Sequence, residues 1–378
     1  MTKTADFLII GGGIAGLSTG ARLAKHGKVV LLEAEEAIGY HSSGRSVTFS
    51  HFGIGGVTVR ALTAYSRAFF QSPPDSFDPL AAVRPALFIA NQAMVPALDE
   101  LERITRSHAD AVERLDAQSA ADYCPALRWA PDAVVAAFVH REGLKLDQHA
   151  LLQGYARAIR AAGGEIVNGT RVASIGPRWR VQTEAGDSYE APILVDAAGA
   201  WADHVAKLAG VQPLRLSPLR RTIIVFDPPS DMSVRDWPFV KTAVDYMYLM
   251  PDSGRLLASP VDENPDEPCD AQPDELDMAI AAHRVTEFTT LDVRRITHKW
   301  AGLRTFAADR VPVAGFAPDA EGFFWLAGQG GYGLQTAPAM AEIAEALVLG
   351  TAWPQAIAAA GVTMEQIRPE RLLQRSST

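Results

Sequence analysis

The apolar run Phe7-Leu8-Ile9-Ile10 breaks into Gly11-Gly12-Gly13-Ile14-Ala15-Gly16, and a helical pattern follows. A second apolar run, Val29-Val30-Leu31-Leu32, then stops at Glu33 and Ala34. Strand, glycine turn, helix, strand and acid in this order describe a βαβ unit shaped to hold a dinucleotide. Gly11 allows the tight turn, Gly13 lets backbone approach a pyrophosphate, and Gly16 lets the helix lie close on the sheet. The helix start at Ile14 and Ala15 offers N–H groups and positive dipole to the phosphates. Glu33 can accept hydrogen bonds from both ribose hydroxyls, which a 2′-phosphate would prevent.

With 378 residues the chain has room for more than one domain. A net charge of −9 argues against a nucleic-acid footprint and against attraction to anionic lipid. Cys124 and Cys269 stand far apart and fit neither a disulfide framework nor a metal pattern, so a reducing compartment is expected. The first apolar stretch is short and already used as a strand, and no run reaches the roughly 18 apolar residues of a membrane span. The expected location is the cytoplasm, or peripherally the inner face of a membrane.

The α/β character at the start, middle and end predicts one nucleotide-binding, Rossmann-like domain built from residues 1–80, 146–212 and 301–378. Residues 81–145 and 213–300 are expected to form an inserted α+β domain with a mostly antiparallel sheet. Helices are predicted over Thr58–Phe70 and Leu151–Ala162. A hairpin is predicted around Ala185-Gly186-Asp187, and residues 213–300 read as strands and turns throughout. Ile193-Leu194-Val195-Asp196 runs into Ala197-Ala198-Gly199-Ala200-Trp201, where small residues let backbone close on a ligand. Gly330-Gly331-Tyr332-Gly333 precedes another helix, whose N-terminus would stabilise negative charge nearby.

The N-terminal fingerprint, His41-Ser42-Ser43-Gly44-Arg45-Ser46, Asp196 to Trp201 and Gly328 to Gly333 together resemble the D-amino-acid oxidase superfamily of FAD-dependent amine oxidoreductases. Within it the chain looks most like the bacterial D-arginine dehydrogenases, through Arg60-Ala61-Leu62-Thr63, Trp300-Ala301-Gly302-Leu303-Arg304 and Glu321-Gly322-Phe323-Phe324-Trp325. The resemblance implies a noncovalent FAD and a carboxylate-anchored amino-acid substrate. It adds His41, Ser42, Ser43, Arg45, Ser46, Val172, Ala198, Gly199, Trp201, Gly302, Gly330, Gly331, Tyr332, Gly333, Leu334 and Gln335 to the cofactor residues. It also implies that Arg304 holds the substrate carboxylate bidentately, that Tyr248 assists, and that Arg221 is a second pocket arginine, with Arg220 as the alternative. Gly331 and Gln335 match positions touching substrate amine or flavin.

Where those relatives carry an acidic residue for a cationic side chain, this chain has Arg84-Pro85-Ala86. Phe49 and Ile54 occupy the places of a histidine and a tyrosine in the gating loop, with His51 nearby. Gly53, Gly55 and Gly56 suit a lid. The expected reaction is oxidation of a D-amino acid with a neutral or hydrophobic side chain to the imine, followed by hydrolysis to the oxo acid and ammonia. Oxidation of a secondary amine (sarcosine, an opine or an imino acid) is an alternative. So is oxidation of a 2-hydroxy acid with His51 as base, and a non-catalytic flavoprotein subunit is another. The electron acceptor is left open among a quinone, an electron-transfer protein and O2.

Overall fold

A computed structural model describes residues 2–373. Strands Phe7–Ile10 and Val29–Leu32 are buried along their whole length. Their unbroken apolar sequences follow from this, because a sheet covered on both faces has no solvent side to show. A six-stranded sheet grows around them in the order Glu165–Val167, Val29–Leu32, Phe7–Ile10, Ile193–Asp196, Phe323–Ala327, Val313–Phe316. All neighbours are parallel except the last pair.

Alternate side chains divide between the two faces. Ile9, Leu31, Val195 and Phe324 pack with residues of helices Ile14–Leu23, Gln148–Ala161 and Gly333–Val348. Leu8, Val30, Leu194 and Trp325 pack with residues of helix Ala202–Leu208 and of a small four-stranded sheet. The chain leaves Phe7–Ile10 on one side and returns at Ile193–Asp196 on the other, so strand order reverses between them. A crevice opens beyond the carboxyl ends of strands at such a switch point. The two turns there meet: a Cβ on Gly11 (φ +110°) would lie 2.4 Å from the Ala197 carbonyl oxygen.

A second sheet has ten strands. Its centre runs Ile296–Phe306, Ser217–Phe226, Arg255–Ser259, Tyr248–Asp252, Phe239–Thr242, Ala86–Ala90. Every pairing is antiparallel except Phe239–Thr242 beside Ala86–Ala90. The predicted helices appear as Val57–Gln71 and Gln148–Ala161, and the hairpin as Arg180–Thr183 against Ser188–Glu190.

Helix Glu275–Phe288 occupies sequence read as strands and turns. The Asp274 side chain caps it by accepting the Leu276 N–H at 2.8 Å, and Met278, Ala281, Val285 and Phe288 pack beneath the large sheet. The domain limit set at 300/301 falls inside strand Ile296–Phe306. Phe49–Ser50, Leu144–Leu146 and Ala81–Val83 form a small sheet of their own, joining segments assigned to different domains.

Candidate active site

A cavity of about 820 Å³ extends from the switch-point crevice onto the large sheet, a size suited to a small-molecule or cofactor site. Its crevice end is lined by Gly11, Gly13, Ile14, Ala15, Glu33, Ala34, His41, Ser42, Ser43, Arg45, Ser46, Val172, Ala198, Gly199 and Trp201. Glu33 is buried, with Oε2 accepting the Gly12 N–H at 2.6 Å and Oε1 accepting the Glu35 N–H at 2.8 Å. Burial pushes its pKa up, and those two N–H groups oppose the rise. A carboxylate oxygen carries more than one acceptor site, so each can still take a hydroxyl.

Ser43 Oγ accepts the Ile14 N–H at 2.9 Å, which leaves its own proton to donate. The His41 ring lies 4.6 Å from the Trp201 ring, and its Nε2 is 3.0 Å from Glu35. The Arg45 guanidinium is engaged within the protein, with the carbonyls of Ala271 and Ala301 at 3.1 and 3.0 Å and with the Asp270 carboxylate. It braces the wall and presents no free charge to a ligand.

Gly302, Gly330, Gly331, Gly333 and Leu334 line the middle of the cavity, whereas Gly16, Tyr332 and Gln335 lie outside its lining. Gly16 sits against the Gly11 carbonyl. The Tyr332 hydroxyl donates to the Arg310 carbonyl, and its ring packs on Phe306. Helix Gly333–Val348 turns Gln335 toward its neighbour, where Nε2 donates to Thr63 Oγ1 at 2.8 Å. The side chains of Tyr332 and Gln335 thus hold the loop and the helix pair together and do not line this cavity.

At the sheet end the wall comprises Phe49, His51, Ile54, Arg221, Ile223, Phe239, Lys241, Asp245, Tyr248, Val261 and Arg304. Arg304 belongs to strand Ile296–Phe306, and its guanidinium makes no hydrogen bond or ion pair among the described residues. Gly331 lies directly against it, since a Cβ there would be 2.1 Å from the guanidinium carbon. Burial and the Arg221 cation bring the Arg304 pKa down to about 10, which still leaves it charged at neutral pH.

Arg221 is differently placed. Its Nε donates to the Asp262 carbonyl at 2.7 Å, and its Nη2 is 3.4 Å from Glu263. Arg220 lies off the cavity and pairs with Asp266 and Asp277. Arg304 alone of these three arginines is without an acidic partner.

His51 is buried among Phe49, Phe88 and Phe239, and burial followed by the Lys241 cation brings its pKa down to about 3. Its Nδ1 accepts the Gly53 N–H at 2.9 Å. In the neutral tautomer this bond selects, Nε2 carries the ring proton and can only donate.

Ala86 does not line the cavity. It is fully buried beside Phe239, whose ring stacks on Phe49 at 4.4 Å. Its expected part in choosing the side chain therefore passes to other residues. Lys241 was not singled out by the sequence reading. The signal was there, as a lysine inside the apolar strand Phe239-Val240-Lys241-Thr242.

Among the described residues no group of three or more His, Cys, Asp or Glu side chains could hold a metal ion. No helix there is long and apolar enough to cross a membrane.

Comparison with known proteins agrees with this geometry. An uncharacterized oxidoreductase of Bacillus subtilis, YurR, is 26% identical over 375 residues, covering 91% of this chain and 95% of that protein. L-2-hydroxyglutarate dehydrogenase of Escherichia coli strain K12 is 26% identical over 55% of this chain, and the match spans only 50% of that enzyme. Two crystal structures share the fold. Glycine oxidase from Geobacillus kaustophilus has a TM-score of 0.78 at 20% identity, covering 93% of this chain and 96% of that one. L-proline dehydrogenase from P. horikoshii has a TM-score of 0.79 at 20% identity, covering 99% of both. The model of the FAD dependent oxidoreductase family matches residues 6–347, so the chain belongs to that family, and the dinucleotide for which the crevice is built is FAD.

Proposed function

We propose that the protein oxidises the Cα–N bond of a D-amino acid. The substrate would lose hydride from Cα and a proton from nitrogen to give the imino acid, which water hydrolyses to the 2-oxo acid and ammonia. Bound FAD supplies the two-electron acceptor, and the electrons then pass to a quinone, an electron-transfer protein or O2.

The observation that carries this reading is Arg304, a cation facing the cavity with no acidic partner. A guanidinium so placed favours a carboxylate, which it can grip by two parallel hydrogen bonds. Tyr248 lines the same wall and is the second expected contact of that carboxylate. The D configuration rests on the likeness of the Arg60, Trp300 and Glu321 runs to the D-arginine dehydrogenases.

Hydride loss from an amine needs the amine neutral and little further acid–base machinery, whereas a hydroxy acid needs a base for its hydroxyl. The His51 tautomer supports the amine, because Nε2–H cannot accept that proton. Phe49, Ile54, Ile223, Phe239 and Val261 form an apolar wall along which the stem of the side chain would lie. A cationic side chain finds no free carboxylate, since Asp245 already pairs with Lys241 at 2.8 Å.

Anaerobic mixing of the holoenzyme with D- and L-amino acids, sarcosine and 2-hydroxy acids, followed by flavin absorbance, tests the reading. D-amino acids should bleach the flavin and release ammonia, with D-methionine outrunning D-arginine. Bleaching by sarcosine or a 2-hydroxy acid and by no D-amino acid would overturn it.

A further inference from the structure

We propose that Lys241 is a specificity-determining residue that receives a second carboxylate of the substrate, at the far end of its side chain. On the reading above, the substrate class becomes the D-amino dicarboxylates, of which D-aspartate and D-glutamate are the simplest.

Strand register places Lys241 directly opposite Tyr248, and Phe239 lies two residues before it. All three side chains therefore share the sheet face that lines the cavity. Lys241 thus lines the same chamber as Arg304, and the wall also holds the apolar side chains of Phe49, Phe239 and Val261. A molecule with two carboxylates and methylenes between them matches that combination of surfaces.

Lys241 is only 4% exposed, and desolvating an ammonium is costly unless its donors are well met. One donor has a short partner, Asp245 Oδ1 at 2.8 Å. The remaining contacts are long, to the Thr242 carbonyl at 3.3 Å and the Val244 carbonyl at 3.5 Å. A lysine that only braced its turn would be redundant, because Thr242 already closes that turn. Its Oγ1 donates to the Val244 carbonyl at 2.8 Å and accepts the Met247 N–H at 2.9 Å. The Asp245 side chain is 63% exposed, so water can solvate its carboxylate while an incoming carboxylate replaces the two long carbonyl contacts of Lys241.

Two measurements on FAD-loaded protein test the proposal, one with turnover and one without. D-glutamate and D-glutamine have the same shape and differ in terminal charge. Wild-type kcat/KM should favour D-glutamate at least tenfold. Lys241→Met should cut D-glutamate turnover at least 30-fold, with D-glutamine within about threefold of wild type, and Lys241→Arg should retain the preference. In the binding arm, calorimetry with unreactive glutarate and butyrate should show glutarate binding more tightly to wild type and losing that advantage in Lys241→Met. Equal turnover of the two D-amino acids with equal binding of the two acids would overturn the proposal. So would a Lys241→Met variant that loses both substrates alike. Tighter glutarate binding that depends on Lys241, without flavin bleaching by any D-amino acid, would keep the second-carboxylate site and overturn the D-amino-acid reading.

Discussion

At the crevice end the cavity is organised around main-chain turns. Glycine turns at Gly11 and Gly199, the first turn of helix Ile14–Leu23 and one carboxylate, Glu33, do the work there. At the sheet end it is made of side chains from strands far apart in sequence, with Arg221, Phe239, Lys241, Tyr248 and Arg304 converging on one chamber. A ligand held by backbone tolerates variation in everything except the glycines. A ligand held by side chains is redefined by single substitutions. The crevice end is therefore suited to the cofactor, and the sheet end is where single substitutions would redefine the substrate.

The sharpest test of that contrast is Gly11→Val. A Cβ would be 2.4 Å from the Ala197 carbonyl oxygen at φ +110°, so the two turns must part. Purified protein should carry no FAD, as read by visible absorbance; a yellow variant would show that the crevice does not depend on that contact.

Arg304→Met probes the other end. Losing a charge-assisted bidentate contact costs about 2–4 kcal/mol, or roughly 30- to 1000-fold in kcat/KM, while the bound flavin spectrum stays unchanged. Gly331→Ala should follow it in direction, since the new methyl displaces the guanidinium. If both variants instead shed FAD, the two ends are not separable.

Ala86→Glu should act on stability rather than selectivity. The position is sealed, and an unpaired buried carboxylate costs about 3–5 kcal/mol. Thermal denaturation should show that loss with no gain in D-arginine oxidation; a gain would place position 86 in the chamber after all.

A separate expectation concerns pH dependence. His51 and His140 are buried, with pKa values brought down to about 3 and about 4, chiefly by burial. In the unfolded chain they take up protons near pH 6.5, and in the native state they do not. Native stability should therefore fall as pH drops from about 6.5 toward 4, by about 1.4 kcal/mol per pH unit for each histidine. His140→Phe should make the slope shallower in urea titrations at a series of pH values.

What could be read from the sequence follows the same division. Phe7 to Glu33 announced itself because strand period, glycine turn and helix start are local and contiguous. Arg304 was reached through the run Trp300–Arg304, which carries a family likeness. Helix Glu275–Phe288 was hidden because its apolar spacing sits among proline- and aspartate-rich turns that read as loops. Tyr332 and Gln335 lie beside the cavity in sequence but turn away from it, a fact decided by where helix Gly333–Val348 begins. Ala86 is kept from the chamber for a non-local reason. It stands beside Phe239 in a parallel pairing between Ala86–Ala90 and Phe239–Thr242 that neither segment encodes alone, and Phe239 lines the chamber there.

The segment from His41 to Ser46 is stitched to strand Ile296–Phe306. Ser42 donates to the Leu303 carbonyl, Arg45 to the Ala301 carbonyl, and the Trp300 indole to the Arg45 carbonyl at 3.0 Å. The piece of chain that lines the crevice thus shares its restraint with the strand that carries Arg304. If ordering that seam is part of binding at either end, the two ligands are thermodynamically linked, and the linkage is reciprocal. FAD would tighten the binding of a carboxylate inhibitor by the same factor as the inhibitor tightens the binding of FAD. A substrate-like acid added during storage or refolding would then act as a preservative of the coloured enzyme without ever touching the crevice.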